Sequence, residues 1–257
     1  MMNLDDFLYK VASFLRILMI CLFVLGLFIF CVMQCHAQPS PLVVAKHDRF
    51  TSYYDLEKHN PAMVVYQLEA RHFAGSYRVS GRHFKADTKL PRPRVLDRDY
   101  SGTGYVRGHL CSAGDSDSDK AWLKETYLTS NLVPMTLYCN SGPFKAIEDS
   151  CRALALQGHN LVLARGPLYY TLSGRVDNVI RAAASVTIPD GFFCYSKCRS
   201  CGQCFSWSCR NSGTKGLEDV LQNIPGKGVY ERDERVSVLL QNIIGTWSRE
   251  EYETITR

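Results

Sequence analysis

Apolar and polar positions along the chain fall into distinct regimes. The first is an unbroken apolar run, Ile17 to Met33, without a charged residue. Lys10 and Arg16 precede it, and the next basic residue is Lys46. A run flanked this way reads as an export signal or a membrane anchor, with the N-terminus on the cytoplasmic side. It is longer than a usual signal core of ~7–15 residues and short for a spanning helix of about 20. Cys35 and Ala37 offer small residues before a cleavage point at Gln38. Residues 1–37 are therefore expected to be a signal peptide or an anchor. The body, 38–257, is expected outside the cytoplasm: periplasmic, secreted or membrane-anchored through residues 17–33.

Pro39 and Pro41 keep a short leader extended up to Lys46, and the body is expected to start near His47. Ala62 to Leu68 is dense in β-branched and aromatic residues and predicts a strand. Arg71 to Lys85 alternates basic, aromatic and small residues, which predicts a further strand or hairpin. Lys89 to Arg98 carries two prolines and reads as a loop, and Gly102 and Gly104 mark a turn. Lys120 to Tyr127 predicts a helix after the polar stretch Ser116 to Asp119. Phe144, Ile147, Cys151, Leu154 and Ala155 recur at helical spacing, with Pro143 fitting the first turn and Gly158 the end. Strands are expected at Leu161–Ala164, Ala184–Ile188 and Phe192–Tyr195. Val236 to Ile244 reads as core and Ser248 to Thr254 as a short terminal helix. Helices and strands are interspersed without a βαβ rhythm. This gives an α+β fold with a largely antiparallel sheet.

Composition refines this picture in three ways. With 46% hydrophobic and 21% charged residues among 257, the chain is too apolar for intrinsic disorder and suits one substantial domain. The formal charge of +5 belongs to the body, since Lys10 and Arg16 cancel Asp5 and Asp6. A mildly basic surface suits a polyanionic partner. No Walker-type glycine–lysine loop and no paired-histidine zinc helix occurs, and the Gly102–Gly108 region lacks the strand-turn-helix setting of a dinucleotide site.

The candidate chemistry gathers in Arg107-Gly108-His109, Asn131, Asn140 and Glu148. Phosphodiester cleavage needs a base for water, a cation against developing charge and stabilisation of the leaving oxygen. Histidine titrates near neutrality and can act as that base. Arginine grips phosphate, and asparagine and glutamate supply the hard oxygens that Mg²⁺ prefers. Asn140 and Glu148 are eight residues apart, about 12 Å of rise on one straight helix, too far for two direct ligands of one ion. If the helix begins near Pro143, Asn140 lies in the preceding loop and can fold back. By residue type alone, a lone histidine is more often structural than catalytic, and the other features also describe surface arginines, a capped helix and a buried amide.

The stretch from Asp99 through Tyr105-Val106-Arg107-Gly108-His109-Leu110, then Tyr127-Leu-Thr-Ser-Asn131-Leu-Val-Pro134, then Asn140 and Glu148, resembles the DNA/RNA non-specific endonuclease family. Arg82 to Asp87, Tyr53 to Leu68 and Val162 to Tyr169 extend the similarity. The resemblance implies a ββα-metal fold and a sugar-non-specific, metal-dependent endonuclease acting on DNA, with RNA as a second substrate. It implies His109 as general base and Asn140 as the direct ligand of Mg²⁺ or Mn²⁺. Glu148 would orient water in the metal shell, and Arg82 would stabilise charge on the phosphate. Arg107 would contact phosphate or the framework, and Asn131 would support the loop holding the site. A homodimer is an allowed assembly. Two positions depart from the family pattern: Val106 stands where an aspartate is expected, and Met135 where a glutamine is expected. Val106 keeps open the alternative of a membrane-tethered nucleic-acid-binding relative with impaired catalysis.

Eleven cysteines occur, three of them within residues 1–37. Five of the remainder crowd into Cys194, Cys198, Cys201, Cys204 and Cys209, read as a Cys-rich insertion at about 194–209. Export favours disulfides there, structural Zn²⁺ ranks second and an iron–sulfur cluster third. A redox or metal-binding envelope protein built on this cluster is a third class of function. Cys111 and Cys139 lie next to His109 and Asn140 in sequence, and either a disulfide between them or two buried thiols fits.

Overall fold

A computed structural model describes residues 13–16, 18–19, 21–25, 42–79, 84–169, 179–180, 185–213, 220–222, 235–236 and 239. The chain divides into two units, Met1–Ser40 and Pro41–Arg257. In the first unit, residues 13–16, 18–19 and 21–25 are helical. No helix among the described residues is long and apolar enough to cross a membrane.

The second unit is organised by one sheet. In chain order its strands are β1 (Val43–Lys46), β2 (Phe50–Asp55), β3 (Asn60–Leu68), β6 (Leu161–Leu168), β9 (Gly191–Cys198), β10 (Cys204–Arg210) and β11 (Val220–Gln222), and they pair in that order. Every pairing in it is antiparallel. Two further hairpins stand apart from it: β4 (Val106–His109) with β5 (Leu132–Met135), and β7 (Val179–Ile180) with β8 (Val186–Thr187). The body also carries the α-helices α1 (Lys120–Glu125), α2 (Leu137–Ser141) and α3 (Pro143–Leu156), and residues 235–236 and 239 are helical as well.

The alternation along the strands explains the layering. Val64, Tyr66 and Leu68 of β3 and Phe192 and Cys194 of β9 point to one face. There they join Trp122 of α1 and Phe144, Ile147, Cys151 and Ala155 of α3 in the principal core. Met63 of β3 and Phe193 and Tyr195 of β9 point to the other face, where Val236 and Leu239 meet them. A sheet buried on both sides needs apolar residues at nearly every central position. β9 supplies them, with only Lys197 incompletely buried.

Several expectations need correction. β1 begins at Val43, so the sheet starts inside the stretch taken as leader. Between Arg71 and Lys85 the described residues form no strand beyond a single bridge from Lys85 to Leu128. Asp117 explains the irregularity: its side chain accepts from the Gly75 N–H at 2.9 Å and its carbonyl from the Tyr77 N–H at 3.0 Å. Those backbone donors are thereby diverted from any sheet ladder. The cysteine-rich stretch does not stand outside the sheet as an insertion. It forms β9, a short turn and β10 inside the main sheet, because its phenylalanines, tyrosine and tryptophan satisfy both core faces. Val236 is core, as its apolar setting implies, and Ser248–Thr254 lies outside the described residues.

Candidate active site

His109 ends β4, whose register with β5 sets His109 opposite Leu132 and Gly108 opposite Val133. A β-carbon on Gly108 would sit 2.3 Å from Met135 Cγ, so any side chain there would have to displace that of Met135. Beyond the strand, Asn131 fixes the chain. Its Oδ1 accepts from the Cys111 N–H at 2.7 Å, and its amide donates to the Cys111 and Thr126 carbonyls at 2.9 and 2.8 Å. The Leu110 N–H donates to the Asn131 carbonyl at 3.0 Å. Asn131 is fully buried, and its partners would otherwise be buried polar groups without hydrogen bonds. The half-buried His109 ring lies edge-on to Tyr127, centroids 5.0 Å apart, and tilted against Phe84 at 5.7 Å.

Arg107 is committed to the framework. Its Nε faces Asp97 Oδ1 at 2.5 Å, and Nη2 donates to the Asp97 carbonyl at 2.6 Å. The guanidinium also lies 5.4 Å from both the Tyr100 and Phe84 ring centres. Arg82 lies outside the described residues. Phe84, two positions later, touches the His109 ring, and Lys85 exchanges backbone hydrogen bonds with Tyr127 and Thr129. An open cleft of about 610 Å³ lies along the neighbouring segment, lined by Ala86, Arg92, Pro93, Arg94 and Leu96.

Asn140 sits in α2 rather than in the loop expected before Pro143. The helix forms because Thr136 caps it, Oγ1 accepting from the Cys139 N–H at 3.1 Å. Asn211 anchors that cap: Oδ1 accepts from the Thr136 N–H at 2.8 Å, and the amide donates to Pro134 and Pro189 carbonyls at 3.0 and 2.9 Å. α2 rests against β4. The Asn140 side-chain amide makes no hydrogen bond to another described residue. Gly142, with φ −116° and ψ −98°, breaks the chain between α2 and α3.

Glu148 projects from α3 into a buried ionic network that residue types did not reveal. Its Oε2 lies 3.5 Å from Arg152 Nη2 and its Oε1 3.9 Å from Arg165 Nη1. Asp115, fully buried, accepts from Tyr66 Oη at 2.6 Å and Arg152 Nε at 2.7 Å, and lies 3.6 Å from Arg165 Nη1. Arg152 also donates to Ser112 Oγ at 3.0 Å. Burial pushes the Glu148 carboxyl up; Arg165 opposes this, Asp115 adds to it, and the net direction is upward. Arg165 carried a visible signal: a charge in the middle of the apolar strand run Leu161–Leu168. Asp115, Arg152 and Tyr66 carried none, since their roles depend on chain segments far away in sequence.

The cysteines are distributed around this network. Among the described residues no disulfide is closed. Cys139 Sγ faces Cys209 Sγ at 3.9 Å, and Cys151 Sγ faces Cys194 Sγ at 3.8 Å. Cys139 thus faces Cys209, while Cys111 is a buried free thiol whose backbone N–H donates to Asn131 Oδ1. Burial raises the Cys194 thiol, but the Cys151 hydrogen bond and the Arg165 guanidinium, 3.4 Å away, bring it down to about 7.

A hairpin ending in histidine, followed by helices bearing an asparagine and a glutamate and set beside an antiparallel sheet, is the ββα-metal nuclease fold. Residues 36–202 match the model of the DNA/RNA non-specific endonuclease family, and the chain belongs to that family. It is similar to the mitochondrial nuclease EXOG of Xenopus laevis, 30% identical over 146 residues, covering 54% of this chain and 41% of that one. The corresponding mouse protein (Mus musculus) is 31% identical over 132 residues, covering 50% of this chain and 36% of that one. A Nostoc sp. nuclease is 30% identical over 122 residues, covering 47% and 44%. The chain thus spans less than half the length of these curated relatives. Among solved structures, an EndoG chain from an EndoG/EndoGI complex superposes with a TM-score of 0.61 at 25% identity, covering 73% of this chain and 82% of that one.

The residues present fit a hard divalent cation. Asn140 offers a neutral amide oxygen that accepts no hydrogen bond from another described residue, and Glu148 a carboxylate that burial makes costly to ionise. A nearby cation lowers that cost.

Proposed function

We propose that this chain is a metal-dependent, sugar-non-specific endonuclease that hydrolyses phosphodiester bonds in DNA, with RNA as a second substrate. The observation that carries the reading is the packing of α2, with its uncommitted Asn140 amide, against the strand that ends in His109. His109 takes the proton of the attacking water. Phe84 and Tyr127 restrict its ring, and the Asn131 clamp fixes the backbone that carries it. Asn140 would hold the cation directly and Glu148 would orient water in its shell; bound there, Mg²⁺ or Mn²⁺ would offset the negative charge that develops on the phosphate. Glu148 keeps its orientation through Arg152 and Arg165. Arg82 supplies positive charge to the phosphate. Arg107, engaged by Asp97, holds the framework. Arg92 and Arg94 in the adjoining cleft suit a polyanion.

The apolar run Ile17–Met33 supports export of the body, as a secreted, periplasmic or anchored protein. In an oxidising compartment, Cys139 with Cys209 and Cys151 with Cys194 are the pairs placed to form disulfides.

Val106 favours one second reading, a nucleic-acid-binding relative with impaired catalysis. Its apolar side chain packs against the principal core where the family pattern has an acid. The two readings separate on supercoiled plasmid incubated with the full chain in Mg²⁺, in Mn²⁺ and in EDTA. Nicking that requires the cation and is lost in His109→Ala supports the enzyme. Plasmid retention without cutting in either cation, by a correctly folded chain, refutes it and favours the binding protein.

A further inference from the structure

The turn between β9 and β10 builds a second cluster of metal-ligating side chains, on a hairpin the nuclease chemistry does not use. Cys198 ends β9, Cys201 lies in the turn, and His159 follows the Gly158 that stops α3. One ligand atom from each of the three lies within 4.8 Å of the others. Cys201 Sγ and His159 Nδ1 are 3.7 Å apart. A tetrahedral zinc with Zn–S near 2.3 Å and Zn–N near 2.0 Å sets such atoms roughly 3.5–3.8 Å apart. The backbone is already shaped around this point. The Gly202 N–H donates to the Cys198 carbonyl at 2.9 Å, and the Cys198 N–H to the Gln203 carbonyl at 2.8 Å. Gly202, at φ +77°, makes the left-handed turn directly after the second cysteine. The Arg199 N–H donates to the Asn160 carbonyl at 2.8 Å, which brings the end of α3 onto the turn.

We propose that Cys198, Cys201 and His159 bind one Zn²⁺ that ties the C-terminal end of α3 to the β9–β10 hairpin. The other cysteines of the stretch are directed elsewhere: Cys194 toward Cys151 and Cys209 toward Cys139. Cys204 Sγ lies 3.5 Å from the Gly202 carbonyl, outside the three-residue cluster. Cys201 is exposed, so the fourth position faces solvent and takes water. Thiolate and imidazole donors select a borderline-soft cation, whereas the oxygens of Asn140 and Glu148 select a hard one, so the two sites do not compete for the same ion. The Ser200 hydroxyl, 3.0 Å from Cys198 Sγ, suits a charged sulfur there. A cation at the end of α3 would restrain the helix that carries Glu148.

The test is zinc binding by the full chain, purified with reductant, in competition with a chromophoric chelator. One equivalent is expected, with affinity at least ten-fold lower in Cys201→Ser and in His159→Ala and unchanged in Cys204→Ser. Cys201 and His159 are not fully buried, so these variants should keep the near-ultraviolet circular dichroism of the parent. Co²⁺ should give a thiolate-to-cobalt charge-transfer band that Cys201→Ser diminishes, and Zn²⁺ should raise the melting temperature of the parent but not of that variant. Zinc bound equally well by Cys201→Ser, zinc lost on Cys204→Ser, or a Cys198–Cys201 disulfide in the native chain would each overturn the assignment. Plasmid cleavage in Mg²⁺ is scored separately, so failure of the zinc site leaves the nuclease reading untouched.

Discussion

Arg165→Met is the most demanding test of the buried network, because it removes one charge from a group that is balanced only as a whole. The guanidinium is fully buried, 3.6 Å from Asp115 and 3.9 Å from Glu148, with its Nη1 donating to the Leu110 carbonyl at 3.3 Å. Tyr66 and Phe144 present ring faces 5.5 and 5.8 Å from it. Methionine keeps much of the packing and none of the charge. Breaking one partner out of a buried ion cluster costs about 3–5 kcal/mol. Arg152 remains, 2.7 Å from Asp115 and 3.5 Å from Glu148, so the loss should fall near the lower limit, about 3 kcal/mol. It should also depend on pH. Burial already raises the Glu148 carboxyl, and Arg165 is the largest influence pulling it back. Without Arg165 the folded-state value rises further above the unfolded one. The native state then binds more protons than the unfolded state, so stability falls as pH climbs out of the carboxylate range. Urea denaturation in EDTA, which keeps divalent cations out of the comparison, should give a larger deficit at pH 7 than at pH 5. A loss below about 1 kcal/mol, or one equal at both pH values, would refute the claim that Arg165 balances these carboxylates.

Three further outcomes follow from the same geometry. Asn131→Ala leaves the Cys111 amide and the Cys111 and Thr126 carbonyls without their partners, so it should destabilise the chain by about 1–3 kcal/mol and slow plasmid cleavage; unchanged urea midpoint and rate would remove Asn131 from the site's scaffold. Gly108→Ala drives a β-carbon into Met135 and should cost about 1–3 kcal/mol, a penalty that disappears when Met135 is also alanine; the same penalty in both backgrounds would rule out the collision. Oxidised glutathione, added with zinc present, should join Cys139 to Cys209 and Cys151 to Cys194 while Cys111 stays a thiol. Closing the loop between residues 70 positions apart should add about 4 kcal/mol in the chain-entropy description, and peptide mapping that found Cys111 joined to Cys139 would contradict the arrangement.

What could be read in advance was whatever is local. The α3 helix announced itself through apolar spacing, Pro143 and Gly158, and β3 through its β-branched run, because periodicity and end signals act within a few residues. His109, Asn140 and Glu148 stood out through the order and spacing of motifs. What escaped depends on distant segments meeting. Arg71–Lys85 alternates like a strand, but Asp117 takes its backbone donors, and nothing near residue 75 foretells that. α2 had a local signal in Thr136, yet the asparagine that secures that cap is 75 positions away. The cysteines between 194 and 209 drew attention to themselves and away from the alternation of Phe205, Trp207 and Cys209 with Ser206 and Ser208, which is the mark of β10. Arg165 is the converse case: a charge inside an apolar strand is conspicuous, but its meaning waits on Asp115 and Glu148, held within 3.9 Å of it by three separate elements. The residues to which the proposed chemistry is assigned were thus singled out one by one. The network that keeps Glu148 oriented belongs to the tertiary structure, where a partly buried carboxylate is held in place by arginines from α3 and β6.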